Sequence, residues 1–156
     1  MLSPTQIQKK TLWCWAAVAS SVDAFSNPTS KWDQCHVVKA VLKISPCCKK
    51  PSAATSCNQQ ESLSKALRTI NRLNTMLDYP VEFEVVEEEL VAQRPVCARI
   101  AWDTGGAHFV FIDGCWPDDQ WIMVWDPMHG HSKLAYEEFK TAYRAIGQWT
   151  NSYLVR

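Results

Sequence analysis

Three short segments of the chain carry side chains suited to acyl transfer. Cys14 stands in Trp13-Cys14-Trp15-Ala16-Ala17, at the head of a stretch in which Trp15, Val18, Val22 and Phe25 recur at helical spacing. A thiol in the first turn of a helix lies at the positive end of the helix dipole, which favours the nucleophilic thiolate. Isolated cysteines more often serve as small buried hydrophobes, and that reading stands beside the reactive one. His108 follows Gly105-Gly106-Ala107 and opens an apolar run. Its imidazole could pair with a thiolate as imidazolium and then protonate a leaving amine, while side-chain-free glycines let a substrate backbone approach. Asp126 closes the apolar stretch 121–125 just before Pro127. It can orient the His108 ring and stabilise its charged form, or be an ordinary turn aspartate. Each segment alone has a plain structural explanation; in the order Cys, His, Asp they compose a nucleophile, a general base and acid, and an orienting carboxylate.

The elements that must position these groups follow from periodicity. An amphipathic helix is expected over residues 14 to 26, with an Ala- and Ser-rich remainder. A second is expected over about 31 to 43, started by the turn Asn27-Pro28-Thr29-Ser30 and packed through Cys35, Val38, Val41 and Leu42. Residues 45 to 57, with Pro46, Pro51 and three cysteines, read as a loop that needs a staple. Asn58 is the expected cap of a third helix carrying Leu63, Ala66, Leu67, Ile70 and Leu73 on one side. After Pro80 the period changes to two, Val81, Phe83 and Val85 alternating with Glu82 and Glu84 as in a half-buried strand. Further strands are expected at 95–102, 109–112, 121–125 and 148–155, with short helices near 87–93 and 136–144. Helices first and strands afterwards make an α+β fold.

The length of 156 residues fits a single domain, and 47% apolar against 21% charged residues supply a core. No run of 18 apolar residues occurs, which argues against a membrane span, and the first 20 positions lack a secretory signal. Export would therefore use another route or a trimmed larger parent. A net charge of zero argues against a general nucleic-acid binder. Residues 1–75 nevertheless hold ten Lys/Arg against three Asp/Glu, and 76–156 hold six against thirteen. Facing lobes would be drawn together by that asymmetry; solvated faces that differ are the plainer explanation.

Of the seven cysteines, four form C-x11-C-C-x8-C between 35 and 57. That density is unusual for a reducing cytosol and points to disulfides. Free buried thiols and zinc are the alternatives, zinc being disfavoured by the lack of a C-x2-C pair and the adjacency of Cys47 and Cys48. The pairing stays open among three possibilities. Asp126, His129 and His131 superficially offer metal ligands as D-x-x-H-x-H, but Pro127 and Gly130 already specify a turn. No metal and no organic cofactor is required by the chemistry above. His36 falls inside the second helix, and the eight tryptophans default to core.

Taken together, Trp13-Cys14-Trp15-Ala16-Ala17 after a glutamine, Gly105-Gly106-Ala107-His108-Phe109 and Trp125-Asp126-Pro127 resemble papain-like cysteine proteases. More narrowly the chain is similar to their bacterial avirulence-effector branch, a likeness extended by Gln34-Cys35, Cys47-Cys48, Cys57-Asn58 and Arg94-Pro95-Val96. The resemblance implies a two-lobed fold, residues 1–78 helical with the nucleophile helix and 79–156 an antiparallel sheet, with the active site between them. It implies Cys14 as nucleophile, His108 as general base and acid, and Asp126 as orienting residue where plant relatives use asparagine. It also implies an oxyanion hole of the Gln8 side chain, six positions before the nucleophile, and the Cys14 backbone N–H; Gln6 is the less favoured substitute. Trp102, Asp103, Gly105 and Gly106 are candidates for lining the substrate cleft. The chain departs from plant and lysosomal members in lacking the C-G-S-C-W form and in placing His108 only 94 positions after Cys14. No long propeptide precedes Cys14, so inhibition by an attached prodomain is not expected. The implied substrate is a protein of a target or host cell, reached by a secreted effector or a toxin domain, with a cognate inhibitor or immunity protein as a further partner. Two rivals stay open: a glutamine deamidase or acyltransferase of the same fold, and a catalytically silent protein-binding module.

Overall fold

The nucleophile segment forms α1 (Cys14–Ser26), as the periodicity predicts, but the helix is not amphipathic. In the computed structural model, which describes residues 1–49 and 54–156, every residue from Cys14 to Ala24 is buried and Phe25 turns outward. The small side chains Ala16, Ala17, Ala19, Ser20 and Ser21 are the reason. They leave no bulk on the second side, so α2 (Gln34–Leu42), α4 (Leu63–Thr69) and the sheet pack around it. The start of α2 falls three residues later than expected because Asp33 is its cap, accepting a hydrogen bond from the His36 N–H at 2.8 Å. Its buried face is Gln34, Val37, Val38 and Val41, while Cys35 and Leu42 are only half-buried.

Four cysteines pair as Cys35–Cys48 and Cys47–Cys57, so the adjacent thiols serve different partners. The expected loop ends in a short helix, α3 (Ala54–Cys57), and its Pro51 lies outside the described residues. The third expected helix is shorter than its pattern. Ser62 caps α4 by accepting from the Lys65 N–H, whereas Asn58 accepts from the Leu12 N–H at 2.9 Å. Leu73 belongs not to that helix but to β1 (Leu73–Leu77).

The strand expected after Pro80 is a helix, α5 (Phe83–Val91). The segment carries both periods, since Phe83, Val86 and Leu90 also fall on one helical face, and Phe83 and Val86 are the buried pair. Val81 ahead of it lies in no strand: its N–H donates to the Ser152 hydroxyl and its carbonyl accepts from the Tyr136 hydroxyl. The later elements follow expectation within a few residues: β2 (Val96–Trp102), β3 (Ala107–Trp116), β4 (Trp121–Asp126), α6 (Tyr136–Ala142) and β6 (Gly147–Val155), with β3, β4 and β6 longer and β2 and α6 slightly shorter. Between β4 and α6 lies β5 (Gly130–Ala135), an edge strand.

The six strands form one antiparallel sheet in the order β1-β6-β2-β3-β4-β5, which bears out the α+β class and its antiparallel sheet. Cys97, Phe109, Phe111 and Tyr153 point to the core built on α1, α2 and α4. Ala98, Ile100, Val110 and Ile112 point to the opposite core, which includes Phe83 and Val86 of α5 and Phe139 of α6. Covering both faces explains the unbroken apolar run at 109–112, which a one-sided sheet would not tolerate.

Candidate active site

Cys14 is the first residue of α1 and 9% exposed. Its cap residue, Trp13, bonds no free N–H through its side chain, and no acidic residue stands in the first turn. The positive end of a 13-residue helix is thus left to the thiol and to whatever approaches it. The preceding segment is held from outside. The indole N–H of Trp13 donates to the Cys57 carbonyl at 2.8 Å, and that of Trp15 to the Gln59 carbonyl at 3.0 Å.

His108 enters from the start of β3, 5% exposed, and its Nε2 lies 2.7 Å from Oδ1 of the fully buried Asp126. A buried carboxylate at that distance is an acceptor, so Nε2 carries the proton and Nδ1 is the nitrogen left for Cys14. Burial disfavours the imidazolium. Hydrogen bonds to Asp126 and Cys14, with the charges of both, outweigh it and raise His108 to about 9. Burial likewise opposes ionisation of Asp126, yet the His108 bond and charge, the Met128 N–H and the Tyr143 hydroxyl hold its carboxyl below the usual range.

Tyr143, just past α6, was not foreseen. Its hydroxyl donates to Asp126 Oδ2 at 2.8 Å, and its ring lies parallel to Trp102, which in turn stacks over His108 with ring centroids 6.0 Å apart. No local motif surrounds it; only the fold brings it to Asp126. The N–H groups of Met128 and His129 add bonds to Oδ1 at 2.8 and 3.3 Å, the Asx-type turn that Asp-Pro foreshadowed. Asp126, His129 and His131 do not converge: His131 bonds Asp113 at 2.7 Å and packs edge-on against Trp125.

A cleft of about 490 Å³ opens beside Cys14 and His108, walled by Trp15, Met76, Arg99, Trp102, Phe109 and Tyr153 among others. Of the expected cleft residues only Trp102 lines it. Asp103, Gly105 and Gly106 form the exposed β2–β3 turn, where φ values of +98° and +81° account for the two glycines. Gln8 lies in the next groove along, with Ile7, Lys9 and Met128. Its side-chain amide donates to the carbonyls of Lys10 and Thr11 at 3.0 and 2.7 Å, and its Oε1 is buried without a partner. Gln6 lines neither groove, its amide donating to the Ser3 carbonyl.

Among known families, the model of the papain-like cysteine protease AvrRpt2 matches residues 2–144. No curated protein matches the sequence. Among solved structures, the chain is similar to the peptidase domain of Streptococcus ComA, a bifunctional ABC transporter involved in a quorum-sensing pathway. That likeness has a TM-score of 0.60 at 12% identity and covers 97% of this chain and 96% of the other, so it concerns the fold.

Proposed function

The chain belongs to the papain-like cysteine protease family of AvrRpt2, and from that premise we propose that it is an endopeptidase working through Cys14, His108 and Asp126. The observation that carries the reading is a buried imidazole with one nitrogen committed to a fully buried carboxylate and the other left for a thiol at a helix start, imidazole and thiol lining one cleft. The Cys14 thiolate attacks the scissile carbonyl carbon; the C–S bond forms as the C=O electron pair moves to oxygen. The Cys14 N–H, at the free end of α1, is the first donor to that oxyanion. Gln8 becomes the second by exchanging its bonds to Lys10 and Thr11 for the oxyanion. Collapse breaks the C–N bond, and the amine leaves with the proton from His108 Nδ1. His108 then takes a proton from water, whose oxygen attacks the thioester and releases the acid and the thiolate. Asp126 stays ionised throughout, holding Nε2–H.

The whole chain, residues 1–156, acts as one catalytic domain on a protein substrate, in a secreted or translocated effector or toxin. The family supports that setting; no helix among the described residues is long and apolar enough to cross a membrane. Wild type and Cys14→Ala expressed in candidate target cells should differ in the set of new protein N-termini. Identical sets would sink the peptidase reading, and a gain of about one mass unit at glutamines without new termini would replace it with deamidation.

A further inference from the structure

Arg99 is the one charge in the strand Val96-Cys97-Ala98-Arg99-Ile100-Ala101-Trp102, and it does not face open water. It is half-buried, set by register between Phe109 of β3 and Asn151 of β6, and lines the cleft that holds Cys14 and His108. The cleft there is lined by Met76, Phe109 and Tyr153 together with the polar Asn151, Gln60 and Glu61, and its apolar part withholds solvation from a guanidinium. Nη1 donates to the Thr150 hydroxyl at 3.0 Å. No carboxylate among the described residues lies within 4.0 Å of it. The acids that could have served are engaged elsewhere: Glu61 with Lys65 at 2.7 Å, and Asp78 with the Asn151 amide at 3.2 Å. A guanidinium has five N–H donors in a planar fork that matches a carboxylate.

Resting on the peptidase reading, we infer that Arg99 is a specificity residue that anchors an acidic side chain of the substrate, glutamate or aspartate, in the cleft beside Cys14. The anchor completes an ion pair that the protein itself leaves open. The stem of the acidic side chain covers Met76 and Phe109 while its carboxylate meets the fork. A charge-assisted pair of this kind in a partly desolvated cleft favours Glu over Gln by about tenfold or more.

The test uses peptide libraries in which each position in turn is fixed as Glu, Gln, Lys or Phe, with cleavage by wild type, Arg99→Gln and Arg99→Glu compared. At one position wild type should cut the Glu library about tenfold faster than the Gln library. Arg99→Gln should abolish that ratio, and Arg99→Glu should turn the preference toward Lys. Affinity of the same libraries for Cys14→Ala separates this inference from the reading beneath it. Glu-selective binding without cleavage by wild type would count against the peptidase and leave the anchor standing. Cleavage with no acidic preference at any position, or a preference that survives Arg99→Gln, would overturn the anchor. So would a Phe preference that stands in place of any Glu preference and is unchanged by Arg99→Gln, which would make the pocket an aromatic one.

Discussion

Asp126 accepts from His108, Met128 and His129 at one oxygen and from Tyr143 at the other, so its charge is held entirely by the protein. Asparagine there could still accept from Nε2–H through its carbonyl, but it would bring no negative charge and would point an amide donor at the Tyr143 hydroxyl. In Asp126→Asn the imidazolium therefore loses its largest charged support, and the alkaline limb of kcat/KM, set in wild type by His108 at about 9, moves down by about one unit or more. The stability linkage has a definite sign. His108 is raised above its ordinary 6.5, so the pair contributes stability that is complete below pH 6.5 and lost as pH rises through about 9. Melting curves between pH 6 and 10 should fall through that window in wild type and be flatter in Asp126→Asn; coincident pH profiles for the two proteins would refute the assignment. The three groups were legible in the sequence because each carries a local signal: a helix start, a glycine pair, an Asp-Pro turn. Tyr143 and Arg99 were not. A tyrosine at a helix end has no signal until the fold sets it against Asp126, and an arginine in an apolar strand shows only that its charge must be answered by something.

The elements fail and succeed by the same reasoning. β1 and β5 are edge strands, paired on one side only, and their mixed polarity gives neither period a clear lead. Residues 81–91 satisfy both periods, and tertiary packing of Phe83 and Val86 chose the helix. The central strands β2 and β3 are legible since both faces are largely apolar. Their packing also explains Gly147, whose backbone φ is unremarkable but whose missing side chain makes room. A Cβ there would come within 2.5 Å of Ile100 Cγ2, 2.7 Å of Trp102 Cζ3 and 2.9 Å of the Tyr143 carbonyl. Trp102 is the ring stacked on His108, so Gly147 lets β6 approach closely enough to hold the lid of the triad. Gly147→Ala should cost about 1 to 3 kcal/mol by overpacking and should also lower kcat/KM at temperatures where the protein is fully folded. A variant that melts lower with unchanged kcat/KM would confine Gly147 to packing; one that melts as wild type would remove both claims.

At the scale of the whole molecule, the nucleophile is clamped by a segment that has no chemistry of its own. The stretch 57–59 supplies the carbonyls that receive the Trp13 and Trp15 indoles, and the Asn58 side chain that receives the Leu12 N–H. That stretch is fastened in turn by Cys47–Cys57, and the adjacent Cys48 is fastened to α2 through Cys35. The disulfides thus connect the expected staple to the active site, a link that cysteine spacing could announce only as three possible pairings. Replacing the pair by Cys47→Ala/Cys57→Ala frees a short loop and should lower unfolding stability by about 2 to 3 kcal/mol. The clamp predicts more than a lower melting temperature. With residues 57–59 untethered, the Trp13 and Trp15 bonds loosen, and the rate at which Cys14 reacts with an epoxide inhibitor should fall in protein that is still folded by circular dichroism. Wild type treated with a reductant strong enough to open the buried Cys47–Cys57 bond should show the same loss, with Cys35–Cys48 opened alongside it and Cys14 untouched. If the double variant melts lower but Cys14 labels at the wild-type rate, the disulfide stabilises the fold without governing the nucleophile, and the clamp is refuted.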